Sequence, residues 1–64
     1  MNYNIYIVKK DRTDIECIGT DVPERKATRV LMGALMQIDT DNWFVDDVEI
    51  DSKEDKDYKA MLTK

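Results

Sequence analysis

The chain has 64 residues, 42% of them hydrophobic and 38% charged, with only two glycines and one proline. This length holds one small domain over residues 1–64, close to the lower limit for folding unaided, and the composition excludes a disordered tail. The net charge of −4 arises in residues 39–64, which argues against direct binding of DNA or RNA phosphates.

The first two elements are predicted to be strands. The segment "NYNIYIVK" alternates two sets of side chains, and both sets are largely apolar or aromatic: Tyr3, Ile5 and Ile7, then Asn4, Tyr6 and Val8. A strand with two such faces is typical of the centre of a sheet. After the polar turn "KKDRTD", the segment "IECIG" predicts a second short strand. The two strands predict a β-hairpin.

A long helix is the strongest pattern in the chain. We expect Asp21 to be its N-cap, with Pro23 in the first turn and Glu24 completing a capping box. Apolar residues then recur at i, i+3, i+4, i+7, i+8 and i+11, which predicts one continuous buried stripe. The stripe consists of Ala27, Val30, Leu31, Ala34, Leu35 and Ile38.

Three residues beside the stripe need a separate explanation. Met32 and Met36 lie one turn apart, and they either widen the buried face or form an exposed contact of the adaptable kind found at partner surfaces. Gly33 costs a helix about 1 kcal/mol relative to alanine. Its small size would allow close approach of another element, one option being the same helix of another subunit.

A third strand is predicted over "NWFVDDVEID", after the turn "DTDN". Its side chains disagree in parity, because Trp43 and Val45 point one way and Val48 and Ile50 the other. A β-bulge at residues 46–47 would bring all four to one face. Without a bulge, Val48, Ile50 and Phe44 face the long helix, and the other two lie on the opposite surface.

The C-terminal segment "SKEDKDYKAMLTK" predicts a short helix, or a frayed tail, over residues 53–64. Ser52 is a suitable N-cap, and acids precede lysines in the order that the helix dipole favours. Tyr58, Met61 and Leu62 would form one small apolar face.

The elements predict an α+β domain of order β-β-α-β(-α). We expect a mainly antiparallel three-stranded sheet of order 2-1-3 with the long helix on one face, the alternative being a parallel pairing of order 1-2-3. Either the C-terminal helix or another chain must cover the second sheet face. The candidate interface residues are Tyr6, Val8, Ile18, Trp43 and Val45 on that face, and Met32 and Met36 on the helix.

The residue inventory argues against catalysis. The chain has no histidine, one cysteine and only two glycines, so a histidine base, a disulfide and a glycine-rich phosphate loop are absent from the sequence. Cys17 lies in a predicted strand without a basic neighbour, as an inert buried thiol does. We expect no enzyme activity, no cofactor and no metal. Without a signal sequence or long apolar run, we expect a soluble cytoplasmic protein without a membrane partner.

Residues 37–51, "QIDTDNWFVDDVEID", hold six carboxylates and no lysine or arginine. A calcium loop fits poorly, because Trp43, Phe44 and Ile50 occupy positions that need a ligand, glycine and glutamate. The acids either solvate an exposed strand or imitate nucleic-acid phosphates, with residues 47, 49 and 51 as one row. The acidic-surface candidates are Asp39, Asp41, Asp46, Asp47, Glu49 and Asp51.

Two functions remain as expectations. The first is a non-enzymatic interaction module that binds itself or another protein through the apolar sheet face or the Met32 and Met36 side, a homodimer being one option. The second is an acidic inhibitor, of the kind that phages and mobile elements encode, that blocks the basic surface of a nucleic-acid-binding protein.

Overall fold

The strands and helices follow the order that the hydrophobic patterns predict. In a computed structural model, which describes residues 1–62, the elements are β1 (Asn2–Lys9), β2 (Ile15–Pro23), α1 (Glu24–Gln37), β3 (Trp43–Glu49) and α2 (Lys53–Leu62). The last two residues of the predicted C-terminal helix or tail, 63 and 64, lie outside the described residues.

The sheet has three strands in the order β2-β1-β3, and β1 pairs antiparallel with both neighbours. This confirms the predicted α+β fold and the central position of β1, and the parallel alternative was wrong. The physical reason is the pair of apolar faces on β1, each of which needs a covering layer.

β2 is longer than predicted and is irregular where it pairs with β1. The register shifts on both sides of the Ile5 and Gly19 pair. A Cβ atom at Gly19 would lie 3.1 Å from Cγ2 of Val22 and 3.3 Å from Cδ1 of Ile5. Gly19 therefore permits a close approach at this irregularity that a larger residue would disturb.

The predicted N-cap of the long helix was wrong. Asp21 belongs to β2 and has a positive φ of 54°. Its N–H donates to Oδ1 of Asn4 (3.0 Å), and its carboxylate accepts from Nδ2 of Asn2 (2.7 Å). Pro23 occupies the N-cap position of α1 and makes no side-chain capping bond. Asp21 joins β2 to β1 because its oxygen is drawn to the β1 asparagine rather than to the helix.

β3 pairs with β1 in continuous register, without a bulge at residues 46–47. Tyr6 lies opposite Asp46, and Ile7 lies opposite Val45. Paired residues of antiparallel strands project from the same face. The predicted facing of β3 was therefore reversed, since Phe44 and Val48 lie on the side of Tyr6 and Val8, away from α1.

The two helices cover opposite faces of the sheet. On one face, Tyr58 of α2 packs in a buried cluster with Tyr6, Val8 and Val48, and the half-buried Ile15, Cys17, Phe44 and Met61 pack around it. On the other face, α1 contacts all three strands, and Ile5 and Ala27 are buried. The C-terminal helix thus covers the second sheet face.

Ser52 is the N-cap of α2, as predicted. Its Oγ accepts from the N–H of Asp55 (3.2 Å) and donates to the carbonyl of Glu49 (2.7 Å). In residues 1–62, no helix combines the length and the hydropathy needed to cross a bilayer.

Candidate interaction surface

A buried carboxylate holds α2 against the sheet. Asp55 is 0% exposed. Its Oδ1 accepts from the Tyr6 hydroxyl (2.6 Å) and from Nδ2 of Asn4 (2.9 Å). Its Oδ2 accepts from the N–H of Asp51 (2.9 Å) and lies 3.1 Å from Nζ of Lys59. Both oxygens therefore have two donors each, which is the condition for keeping a charge inside a small domain.

The environment of Asp55 fixes its ionisation state. Burial disfavours the charged form, but the hydrogen bonds from Tyr6, Asn4, the N–H of Asp51 and Lys59 together outweigh burial and hold the pKa of the carboxyl well below its usual range. Burial and the bond to Asp55 raise the pKa of the Tyr6 hydroxyl well above its usual value. Asp55 is thus charged at neutral pH, where it anchors α2, and it is poorly suited to acid–base chemistry there.

A second hydrogen bond joins α2 to β3. The Tyr58 hydroxyl donates to Oδ2 of Asp46 (2.7 Å), and its ring centroid lies 5.1 Å from that of Tyr6. Burial, together with the bond to Asp46, raises the pKa of Tyr58 to about 12. Asp46, a candidate for the acidic surface, is engaged on the α2 face.

The predicted apolar interface on the sheet does not exist as one surface. Tyr6 (1% exposed) and Val8 (0% exposed) are buried beneath α2, so a partner chain cannot contact them. Val45 projects with Ile7 from the α1 face, and Trp43 is half-buried beside Ile38. The remaining candidate, Ile18, is half-buried in the irregular part of β2.

The outward side of α1 keeps its apolar residues exposed. Met32 is 59% exposed and Met36 is 87% exposed. Leu35, which was expected in the buried stripe, is 41% exposed. Ala27 alone of the residues of α1 is buried, while the others of the stripe are half-buried: Val30, Leu31, Ala34 and Ile38. The structure therefore excludes the interpretation in which the two methionines widen the buried face.

Five exposed residues form a continuous line along the outside of α1, which we name the outer seam: Arg25, Arg29, Met32, Gly33 and Met36. Their spacing of i, i+4, i+7, i+8 and i+11 places them on one helix face. A Cβ atom at Gly33 would meet nothing within 4 Å. Nothing inside the described part of the chain therefore requires a glycine at this position.

The charges along α1 run against the helix dipole. The first half of the helix carries one acid, Glu24, and three exposed bases, Arg25, Lys26 and Arg29, so that its net charge is positive, and the last turn has no basic residue. Asp39 and Asp41 are exposed just beyond its end. The helix dipole favours the opposite order, acids first and bases last. In residues 1–62 the ion pairs involve Lys59 only, so the three cations of α1 have no acidic partner there.

The six candidate acids do not form a single surface. Asp46 faces α2, whereas Asp47 pairs with Ile5 on the α1 face. The expected row of residues 47, 49 and 51 is interrupted, because β3 ends at Glu49 and Asp51 turns with a φ of 64° toward Lys59, 3.9 Å away. The anticipated charge row is therefore reduced to two residues.

Asp39 serves the turn before β3. Its Oδ1 accepts from the N–H of Asp41 (3.0 Å), and its Oδ2 accepts from Nδ2 of Asn42 (2.6 Å). These bonds, that of Asn42 foremost, lower the pKa of the Asp39 carboxyl. Among residues 1–62, no group of three potential metal ligands is close enough to hold an ion.

Comparisons with protein-family models, with curated proteins and with solved structures gave no match for this chain.

Proposed function

We propose that this protein is a non-enzymatic interaction module that docks on another polypeptide chain through the outer seam of α1. The observation that carries the proposal is the exposure of Met32 and Met36, one turn apart, on the side of α1 away from the sheet. Methionine side chains are flexible and polarisable and are frequent at adaptable protein interfaces. Exposed apolar residues gathered on one helix face favour docking over chance.

The non-enzymatic part of the proposal rests on the available side chains. The sequence has no histidine, and Asp55, the one buried carboxylate among residues 1–62, already has four hydrogen-bonding partners. A general acid or base needs a pKa near the working pH and access to a substrate. The proposal places the module in the cytoplasm, in keeping with its single unpaired cysteine.

The acidic-inhibitor hypothesis is the weaker one on this geometry. Imitating a phosphate backbone needs a dense and continuous row of charges. Here Asp46 is turned to α2, and Asp51 is turned toward Lys59. The outer seam instead carries two arginines beside its methionines, so the exposed side of α1 presents cations to a partner.

The test is an affinity capture from cells that naturally contain the protein, with three tagged forms and washes at about 0.1 M and 1 M salt. The forms are the wild type, a seam variant with Met32→Gln and Met36→Gln, and an acidic-surface variant with Asp47→Asn and Glu49→Gln. Glutamine keeps the helix propensity and the approximate length of methionine. We expect the wild type and the acidic-surface variant to retain the same bound chain at about 0.1 M salt, and the seam variant to lose it.

Two other outcomes would contradict the proposal. Retention of the bound chain by the seam variant would show that docking does not use Met32 and Met36. Loss of a basic partner from the acidic-surface variant alone, or from every form at high salt, would favour the inhibitor hypothesis, because screening acts on exposed charges.

A further inference from the structure

We propose that the occupant of the outer seam is a second copy of this chain, bound antiparallel along α1 with the two-fold axis between residues 32 and 33. This inference rests on the proposed function and adds the identity and orientation of the partner. It follows from three properties of α1: its apolar seam, its unneeded glycine and its reversed order of charges.

The seam is self-complementary about residues 32 and 33. In an antiparallel pair centred there, Met32 of one copy lies opposite Gly33 of the other, where the missing side chain leaves room for it. Met36 lies opposite Arg29, whose aliphatic stem can cover a methionine while its guanidinium stays in water. The glycine, which costs the isolated helix stability, thus has a role at the closest approach of two helices.

The charges are complementary in the same orientation. In this orientation the net-basic start of α1, with Arg25 and Lys26 beside Glu24, lies at the end of α1 of the second copy, where that helix stops at Gln37. Asp39 and Asp41, exposed in the turn that follows this end, are therefore at the same end of the contact as the cations that lack an acidic partner within residues 1–62. Each contact occurs twice, once on each side of the two-fold axis, as an isologous interface requires. The antiparallel helix dipoles also oppose each other, which is favourable.

A second copy explains the charged residues at both ends of the seam, whereas an unrelated acidic segment explains those at one end only. A foreign acidic segment would explain Arg25, Lys26 and Arg29 but would be repelled by Asp39 and Asp41 at the far end of the seam. A second copy, turned through 180°, brings the net-positive start of its α1 to the end that Asp39 and Asp41 follow, and does so at both ends. The 14 residues of α1 give a contact about 21 Å long. Because one helix pair buries less than a standard interface, we expect a dissociation constant in about the micromolar range or weaker.

The test is a pair of charge-reversal variants studied by sedimentation equilibrium at low salt. In the acid-start variant, Arg25→Glu and Lys26→Glu place acids at both ends of the contact. In the base-end variant, Thr40→Lys and Asp41→Lys place bases there, and Asp39 is kept because it holds the turn. We expect each variant alone to lose association by about tenfold or more, and an equimolar mixture to form the heterodimer with near wild-type affinity.

A Gly33→Gln variant tests the steric part separately from folding. Glutamine is a better helix former than glycine and meets no neighbour within the chain, so we expect a higher unfolding midpoint together with weaker association. Undiminished association of Gly33→Gln would overturn the close approach at this residue.

Two results of the sedimentation study would overturn the self-association outright. One is a wild type that stays monomeric up to about 1 mM, the upper end of weak affinities. The other is a mixture of the two charge variants that shows no gain over either alone while circular dichroism shows both folded. In either case the capture experiment still decides whether the seam binds a different chain, so the two proposals fail separately.

Discussion

The two helices of this domain cover the same sheet in different ways. α1 has 14 residues and a long apolar stripe, yet Ala27 is its one buried residue. α2 has 10 residues and a polar composition, yet it buries Asp55 and Tyr58. How deeply a helix of this chain is buried against the sheet therefore depends on a few side chains with good partners, and not on the length of its apolar stripe.

The difference has a physical cause on each face of the sheet. Beneath α2, Asn4 and Tyr6 offer donors to Asp55, and Tyr58 fills the space between Tyr6 and Val48. On the α1 face, the stripe of the helix contains small alanines. The sheet there includes a charged residue, Asp47 of β3, which pairs with Ile5. α1 therefore keeps Met32, Leu35 and Met36 exposed, whereas Leu62 is the one large apolar residue that α2 leaves exposed.

The largest expected effect is at the anchor of α2. Asp55→Ala leaves Tyr6, Asn4 and Lys59 without their acceptor, and we expect a loss of about 3–5 kcal/mol in the free energy of unfolding. A loss of this size would unfold a large fraction of a domain this small. Urea denaturation checks it, with Asp57→Ala at an exposed site of the same helix as the control. A loss below about 1 kcal/mol would contradict the anchoring role.

The second largest expected effect is a loss of stability at low pH, caused by protonation of Asp55 on the α2 face. The pKa of Asp55 in the folded chain lies below its value of about 3.9 in the unfolded chain. Its stabilising contribution is therefore complete above about pH 4 and is lost as the pH falls further, by at most about 1.4 kcal/mol per pH unit. Asp11 and Asp39, whose pKa values are also lowered, add to the slope.

Urea midpoints between about pH 5 and 2 measure this acid dependence. A variant with Asp11→Asn and Asp39→Asn should keep most of the slope, because the carboxylate of Asp55 is unchanged. A flat profile in that variant would assign the acid sensitivity to the exposed turns instead.

Tyr58→Phe isolates the second bond between α2 and β3. Loss of the hydroxyl that donates to Asp46 should lower the free energy of unfolding by about 1–2 kcal/mol, because the acceptor is charged. Tyr3→Phe is the matched control, since the Tyr3 ring is half-buried on the α1 face of the sheet. Equal effects of the two substitutions would remove the distinction between the two faces.

The two glycines should respond with opposite signs. Gly33→Ala fills open space on α1 and should raise the free energy of unfolding by about 0.5–1 kcal/mol, measured where the chain is monomeric. Gly19→Ala should lower it, since the added Cβ atom would lie 3.1 Å from Val22. Thermal unfolding of both variants is the measurement. A destabilising Gly33→Ala would show that α1 is packed more closely than its exposure indicates.

Most of the fold could be predicted from the sequence because its signals are local or periodic. Two apolar faces on residues 2–9 placed β1 at the centre, and the stripe from Ala27 to Ile38 located the long helix. The prediction of the N-cap failed because the carboxylate of Asp21 accepts a hydrogen bond from Asn2, 19 residues away, and sequence spacing does not show such a contact. The prediction of which β3 residues face α1 failed because the alternation of side chains does not indicate which sheet face each helix covers.

The candidate site was predicted only in part. Met32 and Met36 stood out by their position beside the stripe, and the structure exposes both. The anchor Asp55 was missed, because an acid in the first turn of a helix is usually explained by the dipole. Asn4 in an otherwise apolar strand was the available signal, since a buried amide needs a polar partner. Its partner, 51 residues away, could not be identified from the pattern.

The four methionines allow one spectrum to test the comparison of the two helices directly. We would record the methyl resonances of ¹³C-labelled methionine over a dilution series from about 1 mM to 10 µM, the range of weak dimers. The account predicts concentration-dependent shifts for Met32 and Met36, and none for Met61, which packs against the core from α2, or for the exposed Met1. Shifts at Met61 or Met1 instead, or four resonances that do not change, would contradict it.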